Sequence, residues 1–418
     1  MNVRHTPRVI VFTPQAPYPP HQGTSIRNYN LITRLARHAQ VHLVTFVEPD
    51  QPSPQTTPLG DCCTSITALP IPQRSWQQRV RTLVADHRPD LATRLASEEM
   101  HRAVRHLATT VETDVLLIEG LEMTPYLPTF LAHTSHHVRV VYDAHNAEYL
   151  LQKRAFLTDI RTPWRWHAAL YSLIQWLKLR RYEQRLCAHV DHIIAVSPKD
   201  KNTLRRLSPH VPITIVPNGV DVAYYTSPSP QKEASPLGSP AVVFTGKMDY
   251  RPNVDAVLWF LARVWPRVRQ RMPNAQFYVV GRSPHPRVLA KGNQAGVFIT
   301  GTVPDIRPYL HHAEVFVIPM RVGGGTRLKL LEAMASRRAI VSTSLGAEGY
   351  PVRDGEHLIL ADSGEAFARA VVRLLEDEKL RRRLGNAAYE FVRSRYDWDH
   401  LARQFIEVVL GEQKNAEG

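Results

Sequence analysis

The sequence predicts an α/β protein with two doubly wound domains, each a parallel β-sheet with helices on both faces. The chain has 418 residues, too many for one ordinary hydrophobic core, and it fits two domains of about 200 residues each. Short apolar runs alternate with helical patterns, as parallel strands joined by crossover helices require. This alternation occurs twice, on either side of the Ser- and Pro-rich segment 227–240.

The first domain is predicted over residues 1–216. Continuous apolar runs are typical of parallel strands that are covered on both faces. The predicted strands are VIVF (9–12), VHLVTF (41–46), VLLI (115–118), VRVVYD (138–143), HIIAV (192–196) and ITIV (213–216). The predicted helices between them cover 31–38, 164–186 and 199–207.

The second domain is predicted over residues 217–395, beginning at the turn PNGVD, and residues 396–418 are predicted to form a terminal helix and a frayed tail. Both sheets are expected to direct the carboxyl ends of their strands into a cleft between the domains, where such folds bind ligands. The predicted strands are AVVFTG (241–246), QFYVVG (276–281), VFIT (297–300), EVFVIP (314–319) and AIVST (339–343). The predicted helices are 253–272, the stretch after Asp305, and 328–337.

The formal net charge of +14 admits three kinds of partner: nucleic acid, anionic lipid headgroups or a phosphorylated substrate. Segment 151–186 holds eight Lys and Arg residues against Asp159 and Glu183, with Trp164, Trp166 and Trp176 among them. This composition predicts peripheral contact with an anionic membrane. The alternative is an amphipathic helix packed by its aromatic side chains. Nucleic acid is not expected, because the motif of a nucleic-acid module is missing from the sequence.

Cysteine content and hydropathy favour a cytoplasmic location, on the inner face of the membrane if segment 151–186 binds lipid. Cys62, Cys63 and Cys187 are the only cysteines, and their spacing suits neither a metal site nor an unstrained disulfide. The apolar run at 9–12 is too short for the core of a signal peptide.

The strongest candidate site is the segment IPMRVGGGTRLKLLEAMA (318–335), in which a strand, a glycine-rich turn and a helix follow one another. Such turns and helix starts present N–H groups to a phosphate, and Glu332 is placed to accept from ribose hydroxyls. A plain glycine-rich loop before a charged helix is the alternative. The predicted diphosphate-binding residues are Gly323, Gly324, Gly325, Thr326, Arg327 and Lys329.

Further candidates follow other strands. Lys247 comes directly after the strand 241–246 and is predicted to contact phosphate, the alternative being a solvated loop lysine. Arg282 follows the strand 276–281 and is predicted to line the nucleoside.

In the first domain, Gly23 follows the first strand and permits close approach of a ligand, and Arg27 lies one turn later. The segment YDAHNAEY (142–149) places Asp143, His145 and Glu148 close together. Such a set suits acid–base chemistry or the recognition of hydroxyls. A turn capped by Asp143 and Asn146 is the alternative.

A metal or cofactor is not expected from the residue patterns. Asp397-Trp398-Asp399 matches the DxD pattern that binds metal-diphosphate in some transferases, but capping of the final helix is favoured. The adjacent pairs His136-His137 and His311-His312 lack metal-ligand spacing.

In its ordered set of motifs the chain resembles the retaining glycosyltransferases of family 4, the GT-B class that includes the glycosyl transferases group 1 domain. The resemblance is strongest to sugar transferases of bacterial exopolysaccharide and surface-glycan assembly. The motifs are the P-x-x-G entry with Arg27, DAHNAE, VSPKDK, IVPNGVD, FTGKMDYRPN, VVGRSP and GGGTRLKLLEAMA.

The resemblance implies transfer of a sugar from a nucleoside diphosphate sugar to a glycan or lipid-linked hydroxyl, with retention and without a metal. It assigns the nucleotide ribose to Glu332, the diphosphate to Lys247, the reacting centre to His145, and phosphate and acceptor to Gly23. Asp143 is a further candidate for catalysis. Arg27, Asn146 and Glu148 are assigned to the acceptor side, and the terminal helix is expected to cross back to the first domain.

Two positions depart from the family pattern. Gly324 stands where the first glutamate of the E-x7-E motif is expected, and Asn253 stands where a lysine is usual. Either Arg327 or Lys329 holds the phosphates instead, or catalysis is weakened. A nucleotide-sugar epimerase or hydrolase and an inactive nucleotide-sugar-binding protein stay open as alternatives. A dinucleotide oxidoreductase is disfavoured because PQAPYPPHQG lacks the G-x-G-x-x-G pattern.

Overall fold

The computed structural model describes residues 6–20, 22–160, 166–228, 236–323 and 325–411. The chain divides into two compact units. Unit 1 runs to Pro217 and resumes at Leu401, and unit 2 is Asn218–His400.

Unit 1 contains a seven-stranded sheet in the order β3-β2-β1-β4-β5-β6-β7, and its paired strands are parallel. The predicted strands are confirmed, whereas β3 was not predicted because its residues are only half-buried and lack an apolar run. The strands are β1 Arg8–Thr13, β2 Gln40–Val47, β3 Ser65–Pro70, β4 Val115–Glu119, β5 Arg139–Ala144, β6 His192–Ala195 and β7 Ile213–Ile215.

Helices pack on this sheet and bury phenylalanines such as Phe12 and Phe130 in one core. Short 3₁₀ turns lie at Pro54–Thr56 and Leu121–Tyr126. The described helices are α1 Gly23–Leu35, α2 Pro58–Cys62, α3 Trp76–Ala85, α4 Asp90–Thr93, α5 Glu98–Thr110, α6 Leu127–Leu131, α7 Glu148–Asp159, α8 Trp166–Cys187 and α9 Pro198–Leu207.

Unit 2 contains a six-stranded parallel sheet in the order β10-β9-β8-β11-β12-β13. Its five predicted strands are confirmed, and the additional strand β13 has only two residues. The strands are β8 Ala241–Thr245, β9 Gln276–Val280, β10 Val297–Gly301, β11 Val315–Ile318, β12 Ala339–Ser342 and β13 Ile359–Leu360.

The long predicted helix 253–272 is present but interrupted by a π-helical segment at Phe260–Val264, just before Pro266. Proline lacks an N–H group and disturbs the preceding turn. The helices of unit 2 are α10 Val222–Thr226, α11 Arg251–Trp259, α12 Trp265–Arg271, α13 Pro286–Leu289, α14 Arg307–His312, α15 Leu328–Ala335, α16 Gly364–Glu376 and α17 Glu378–Arg395. The last helix, α18 Trp398–Leu410, begins in unit 2 and belongs to unit 1 from Leu401 onward.

Each sheet has one point where the chain reverses the direction in which it adds strands. In unit 1 this switch point lies between β1 and β4, and in unit 2 it lies between β8 and β11. Doubly wound sheets bind ligands beyond the carboxyl ends of the strands at such points. The residues that follow these strands are therefore the place to look for a site in each unit.

Candidate functional site

In unit 2, a group of polar residues follows β8 and β11, the two strands at the switch point. We call it the Lys329 cluster: Lys247, Asn253, Arg327, Lys329 and Glu332. The Asn253 amide donates to the Lys247 carbonyl over 2.8 Å, and the Lys329 ammonium donates to Asn253 Oδ1 over 2.9 Å. A side chain after β11 is thereby tied to the loop after β8.

Two glycines allow these elements to meet. A Cβ added to Gly246 would lie 2.9 Å from Lys329 Nζ and 2.8 Å from Asn253 Nδ2. A Cβ added to Gly281 would lie 1.8 Å from the Gly246 carbonyl oxygen. Both positions have positive φ angles, which side chains other than glycine rarely adopt. The ends of β8 and β9 therefore approach each other too closely for any side chain.

Lys329 sits in a partly apolar setting. Its ammonium lies 4.0 Å from the centroid of the Phe244 ring. Burial lowers the pKa of Lys329 to about 7, against a smaller opposing effect of Glu332. A lysine in this state carries its full charge below neutral pH and gains stability from any anion that binds beside it.

The glycine-rich turn reaches helix α15 through left-handed backbone. Gly323 has φ 106° and Gly325 has φ 78°, and Arg327 Nη1 donates to the Gly325 carbonyl over 2.9 Å. The helix begins at Leu328, the first residue of the predicted segment 328–337, and the preceding residue Arg327 is extended. Thr326 Oγ1 accepts from Asn218 over 3.2 Å. The predicted contact of Gly324 lies outside the described residues.

Glu332 points from α15 toward Tyr225, which shares a hydrogen bond with its carboxylate. Burial raises the pKa of Glu332, and the Tyr225 hydrogen bond and the Lys329 charge oppose that rise. The Lys247 side chain is half exposed, and its Nζ lies 3.3 Å from Asp249 Oδ2. The carbonyl of Arg282 accepts from the N–H of Met248 over 2.9 Å, so β9 also borders the loop that carries Lys247.

In unit 1, residues from β4, β5 and α1 form a second group beside the switch point. We call it the His145 cluster: Arg27, Glu119, Asp143, His145 and Glu148. His145 Nε2 lies 3.0 Å from Glu119 Oε2, and the Glu119 side chain is fully buried. Glu119 Oε1 is buried without a hydrogen-bond partner among the described residues. Sequence reasoning missed Glu119, although an acidic residue ending the apolar strand VLLIE was a usable signal.

Glu119 and His145 share a proton-sensitive contact. Burial and the charge of Asp143 raise the pKa of Glu119 to about 7. Burial favours neutral His145, but the Glu119 hydrogen bond and the Asp143 charge outweigh it and raise the pKa of the imidazole. The pair therefore holds a proton near neutral pH, which suits a group that donates hydrogen bonds or moves a proton.

Arg27 is a buried partner of Asp143. Its Nε donates to Asp143 Oδ2 over 2.8 Å and its Nη2 donates to Oδ1 over 3.1 Å. Its Nη1 donates to the carbonyls of Val216 and Pro217. Arg27 is 1% exposed and Asp143 is 0% exposed. Because neither side chain is exposed to a ligand, both can influence the site only by holding neighbouring groups in place.

Gly23, Asn146 and Glu148 lie at helix starts. Gly23 is the exposed first residue of α1, whose N-terminus has no side-chain cap. Asn146 donates to Glu148 Oε1 over 3.3 Å, and burial raises the pKa of Glu148 to about 7. Glu183 on α8 accepts the N–H groups of Glu148 and Tyr149 over 3.0 Å each. That carboxylate caps α7 and fixes the loop after His145.

A polar cavity of about 570 Å³ opens beside His145 within unit 1. Its lining includes Gln15 and two ion pairs, Arg74–Asp90 and Arg94–Glu122. Alternating donors and acceptors of this kind suit a ligand that carries several hydroxyl groups.

Glu119, Asp143 and His145 each offer one ligand atom within 4.8 Å of the others, as a metal site would require. Both Asp143 oxygens accept from the Arg27 guanidinium, however, so a cation here would compete with a buried ion pair. Asp397 Oδ1 accepts from the N–H of Asp399 over 2.9 Å, just where α18 begins. This is the helix-capping contact expected for the DxD pattern.

The described residues of segment 151–186 lie mainly in α7 and α8, whereas Arg161, Trp164 and Arg165 fall outside the described residues. Trp176 stacks on Phe156 with ring centroids 6.2 Å apart, and Lys153 lies over its ring, as the packed-helix alternative requires. Trp166 is instead 64% exposed. No helix of the described chain is both long enough and apolar enough to span a membrane.

Two family models match successive parts of the chain. Residues 21–224 match the model described as Glycosyltransferase Family 4, and residues 239–377 match the model described as Glycosyl transferases group 1. The first match contains the His145 cluster and the second contains the Lys329 cluster.

Curated relatives align over part of their length. The chain is 31% identical over 203 residues to phosphatidyl-myo-inositol mannosyltransferase of Mycobacterium tuberculosis (strain ATCC 25618 / H37Rv), covering 46% of this chain and 52% of the relative. It is 27% identical over 249 residues to the lipopolysaccharide core biosynthesis mannosyltransferase LpcC of Rhizobium leguminosarum bv. viciae, covering 56% and 69%. The chain thus spans about half the length of the mycobacterial relative it matches.

Solved structures share the fold over nearly the whole chain. Anabaena Alr3699/HepE in complex with UDP and glucose has a TM-score of 0.66 at 14% identity, covering 98% of this chain and 100% of that chain. WaaG, a glycosyltransferase involved in lipopolysaccharide biosynthesis, has a TM-score of 0.61 at 16% identity, covering 96% and 100%. The predicted GT-B class with two doubly wound domains is confirmed.

Proposed function

This chain belongs to glycosyltransferase family 4, and we propose that it transfers a glycosyl group from a nucleoside diphosphate sugar to a hydroxyl acceptor with retention of anomeric configuration. The observation that carries the proposal is the Lys329 cluster at the switch point of unit 2. There a glycine turn, a helix start and two lysines converge on one place. Such a place suits a diphosphate better than any neutral ligand.

The leaving diphosphate gains negative charge as the glycosidic bond breaks, so its stabilisation is the main catalytic task. The N–H groups at the start of α15 and the ammonium of Lys329 are the donors we assign to it. Lys247, half exposed after β8, adds a mobile cation. Arg282 borders the same loop and stays a proposal for the nucleoside.

Lys329 supplies the charge that Asn253 lacks. Related enzymes are expected to carry a lysine at the position of Asn253, and here the Asn253 amide oxygen instead binds the ammonium of Lys329 at 2.9 Å. The cation therefore lies on helix α15 instead of at position 253 in the first turn of α11, and it stays beside the same backbone. This favours a rearranged diphosphate site over a weakened one.

Glu332 is proposed to hold the ribose of the donor nucleotide. The carboxylate lies one helical turn after Lys329 and already accepts from Tyr225, which orients it. Two oxygens of one carboxylate can accept from neighbouring hydroxyl groups, as a ribose offers.

The acceptor is proposed to bind in the polar cavity beside His145. His145 would bind hydroxyl groups of the reacting sugars, with Glu119 orienting its ring and Asp143 and Arg27 holding the floor of the site. Asn146 and Glu148 border the same loop. For retention, the acceptor attacks from the face that the diphosphate leaves, and a departing phosphate oxygen takes its proton.

The relatives suggest a setting for this reaction. Their names describe mannosyl transfer to phosphatidyl-myo-inositol and lipopolysaccharide core biosynthesis. We infer that this chain also works in glycolipid or polysaccharide assembly, in the cytoplasm and at the inner membrane surface, without metal or cofactor.

The test is a screen of nucleoside diphosphate sugars for nucleotide release, with and without a lipid extract as acceptor source. Acceptor-dependent release from one donor is expected, and it should persist in EDTA. Lys329→Met should abolish most of it, whereas Lys379→Met, which removes an exposed lysine of α17, should not.

Release without acceptor would instead identify a hydrolase, and a changed sugar without release would identify an epimerase. Calorimetric binding of a donor with no product from any acceptor would identify an inactive binding protein. Failure of every donor to bind would overturn the proposal.

A further inference from the structure

A cavity of about 300 Å³ lies in unit 2 beside the amino ends of β11 and β12. Its lining comes from the end of α14, the loop before β11, the loop that joins α15 to β12, and the first turn of α17. The Lys329 cluster follows the carboxyl ends of β8 and β11, and the strands of this sheet are parallel. The cavity therefore lies at the opposite edge of the same sheet.

Ionisable side chains dominate the lining of this cavity. Four of its ten described residues are arginines, two are glutamates, two are histidines and two are alanines. The described lining thus offers no large apolar side chain against which a lipid chain or a nucleobase would pack. The volume is at the lower end for ligand sites, about 300–1,000 Å³. A small, charged occupant fits these properties.

Both glutamates of the lining are engaged with other groups. Glu314 accepts through Oε1 from the Ser239 hydroxyl over 2.8 Å and through Oε2 from the Ala241 N–H over 2.6 Å. Glu378 pairs with Arg382 over 2.5 Å. Among the described residues, no carboxylate forms an ion pair with the other three arginines of the lining.

Arg338, the first of these three arginines, is fixed by backbone carbonyls. Its Nε and Nη1 donate over 2.8–3.1 Å to the carbonyls of Ser336, His311 and Ala313. Its Nη2 has no hydrogen-bond partner among the described residues. Burial lowers the pKa of Arg338, the charge of Glu314 opposes this, and the charge of Arg381 adds to it. The carbonyls orient the guanidinium, but they do not cancel its charge.

Arg381 on α17 is held in the same way. Its Nη1 donates to the carbonyls of Leu374 and Leu375 over 2.7 and 2.9 Å, and its Nε and Nη2 have no partner within the described part of the chain. Arg338 and Arg381 thus bring two like charges to one cavity. An anion bound to both would offset their repulsion.

Arg337 has a backbone conformation that arginine rarely adopts. Its φ is 56°, in the left-handed region where the residue after a helix is usually glycine. The guanidinium carbon lies 3.5 Å from the centroid of the Tyr389 ring, and Nη1 donates to Asn386 over 3.0 Å. A Cβ added to Gly385 would lie 2.3 Å from the Arg337 carbonyl oxygen, so α17 packs directly on this residue. An arginine at a position that favours glycine indicates a use for its side chain.

We propose that this cavity, which we call the Arg338 pocket, binds a small oligophosphate at a site separate from the Lys329 cluster. Guanidinium groups bind phosphate oxygens through paired N–H donors. Because carbonyls already hold Arg338 and Arg381, little side-chain entropy is lost on binding. A short phosphate chain places several negative charges in a small volume, as three arginines without a carboxylate partner require. The inference goes beyond the proposed function and does not depend on it.

The experiment is titration calorimetry of the full chain with inorganic tripolyphosphate in metal-free buffer. It uses a Lys329→Met background, so that the other proposed phosphate site does not contribute, and one binding site is expected. Arg381→Met should weaken binding by about tenfold or more, the usual effect of losing a hydrogen bond to a charged group.

Arg393→Met is the matched control. It removes an exposed arginine that pairs with Glu390, about 18 Å further along α17. It should weaken binding by less than about twofold, because this distance exceeds the screening length.

Arg337→Gly separates binding from structure. Glycine adopts the observed φ without strain, so the thermal stability of the variant should be kept or raised. The affinity for tripolyphosphate should nevertheless fall by about tenfold. A loss of stability with unchanged affinity would show that Arg337 has a purely structural role and would count against the proposal.

The proposal is overturned if the Lys329→Met protein binds no tripolyphosphate, since the oligophosphate then belongs to the Lys329 cluster alone. It is also overturned if Arg381→Met and Arg393→Met lose affinity alike, or if inorganic phosphate or citrate binds as tightly as tripolyphosphate. UDP binding by the wild type is measured separately. Its failure would bear on the proposed function and leave the Arg338 pocket intact.

Discussion

The two clusters occupy equivalent positions in their sheets, but they differ in how their charged side chains are paired. In the His145 cluster, Arg27 pairs with Asp143 and His145 pairs with Glu119. Arg27, Asp143 and Glu119 are buried, and the His145 side chain is 17% exposed. In the Lys329 cluster, Lys247 stays half exposed and Lys329 binds only neutral Asn253 among the hydrogen bonds described for its side chain. The charged groups of the first cluster are thus paired with one another, whereas in the second cluster the described hydrogen bond of the Lys329 ammonium goes to a neutral amide, which leaves its positive charge for a ligand.

The largest expected effect is the loss of stability caused by replacing Arg27. Arg27→Met leaves the Asp143 carboxylate buried without its partner, so unfolding free energy should fall by about 3–5 kcal/mol. Urea unfolding of the variant and of Arg37→Met, which removes an exposed arginine just after α1, measures this. Equal stability of the two variants would show that the buried pair is dispensable.

Lys329 should affect catalysis rather than stability. Lys329→Met removes a cation from the leaving diphosphate, and kcat/KM for the donor should fall by about 10²- to 10³-fold. Lys329→Arg should keep more of the activity, and Lys379→Met should keep nearly all of it. Steady-state kinetics with the donor from the screen decides the matter; an unchanged kcat/KM would place the diphosphate elsewhere.

Glu119 is expected to act through His145. Glu119→Gln keeps the hydrogen bond to His145 but removes the negative charge, so the pKa of His145 should fall. We expect kcat to drop by about tenfold, which is less than the loss of about a hundredfold or more that follows removal of an acid–base group itself. The pH profile of kcat should shift with it, whereas Glu99→Gln, which changes an exposed carboxylate of α5, should leave that profile in place. A lower kcat with an unmoved profile would indicate a purely structural role.

The smallest expected effect is a pH dependence of nucleotide binding. The pKa of Lys329 is lowered to about 7, so its charge is complete below that pH and is lost as the pH rises through it. UDP and GDP, used as probes, should bind with constant affinity below pH 7. Affinity should weaken by up to about tenfold per pH unit above it.

Lys329→Arg should bind with little pH dependence over the same range, because arginine stays protonated. Titration calorimetry from pH 6 to pH 9 makes the comparison. A wild-type affinity that is flat to pH 9 would contradict the assigned role of the ammonium.

Local patterns predicted the sheets well and the pairings poorly. VLLI and EVFVIP are continuous apolar runs, and both became buried strands. The half-buried strand β3 has no such run. The partnership of Arg27 with Asp143 spans 116 residues and that of Lys329 with Asn253 spans 76. No local pattern encodes which distant side chains a fold brings together.

The site residues show the same limit. His145, Lys329 and Glu332 were singled out because they follow strands or open a helix, which the sequence displays, and their roles stay predictions. Glu119 was missed because it looks like the end of a strand until its contact with His145 is seen. Trp176 lies in the segment predicted to contact a membrane, and it packs on Phe156 from the neighbouring helix; composition left this packing open as an alternative and could not name the partner ring.

Because its amine lies against the Phe244 ring, Lys329 should also be open to selective covalent modification. An amine whose pKa is about 7 is a nucleophile at neutral pH, while ordinary surface lysines are protonated and unreactive. Aldehydes and acylating reagents that carry a phosphate should therefore modify this one side chain ahead of the others. Its labelling, and its protection by nucleotide, would map the site by mass spectrometry without any knowledge of the sugar transferred.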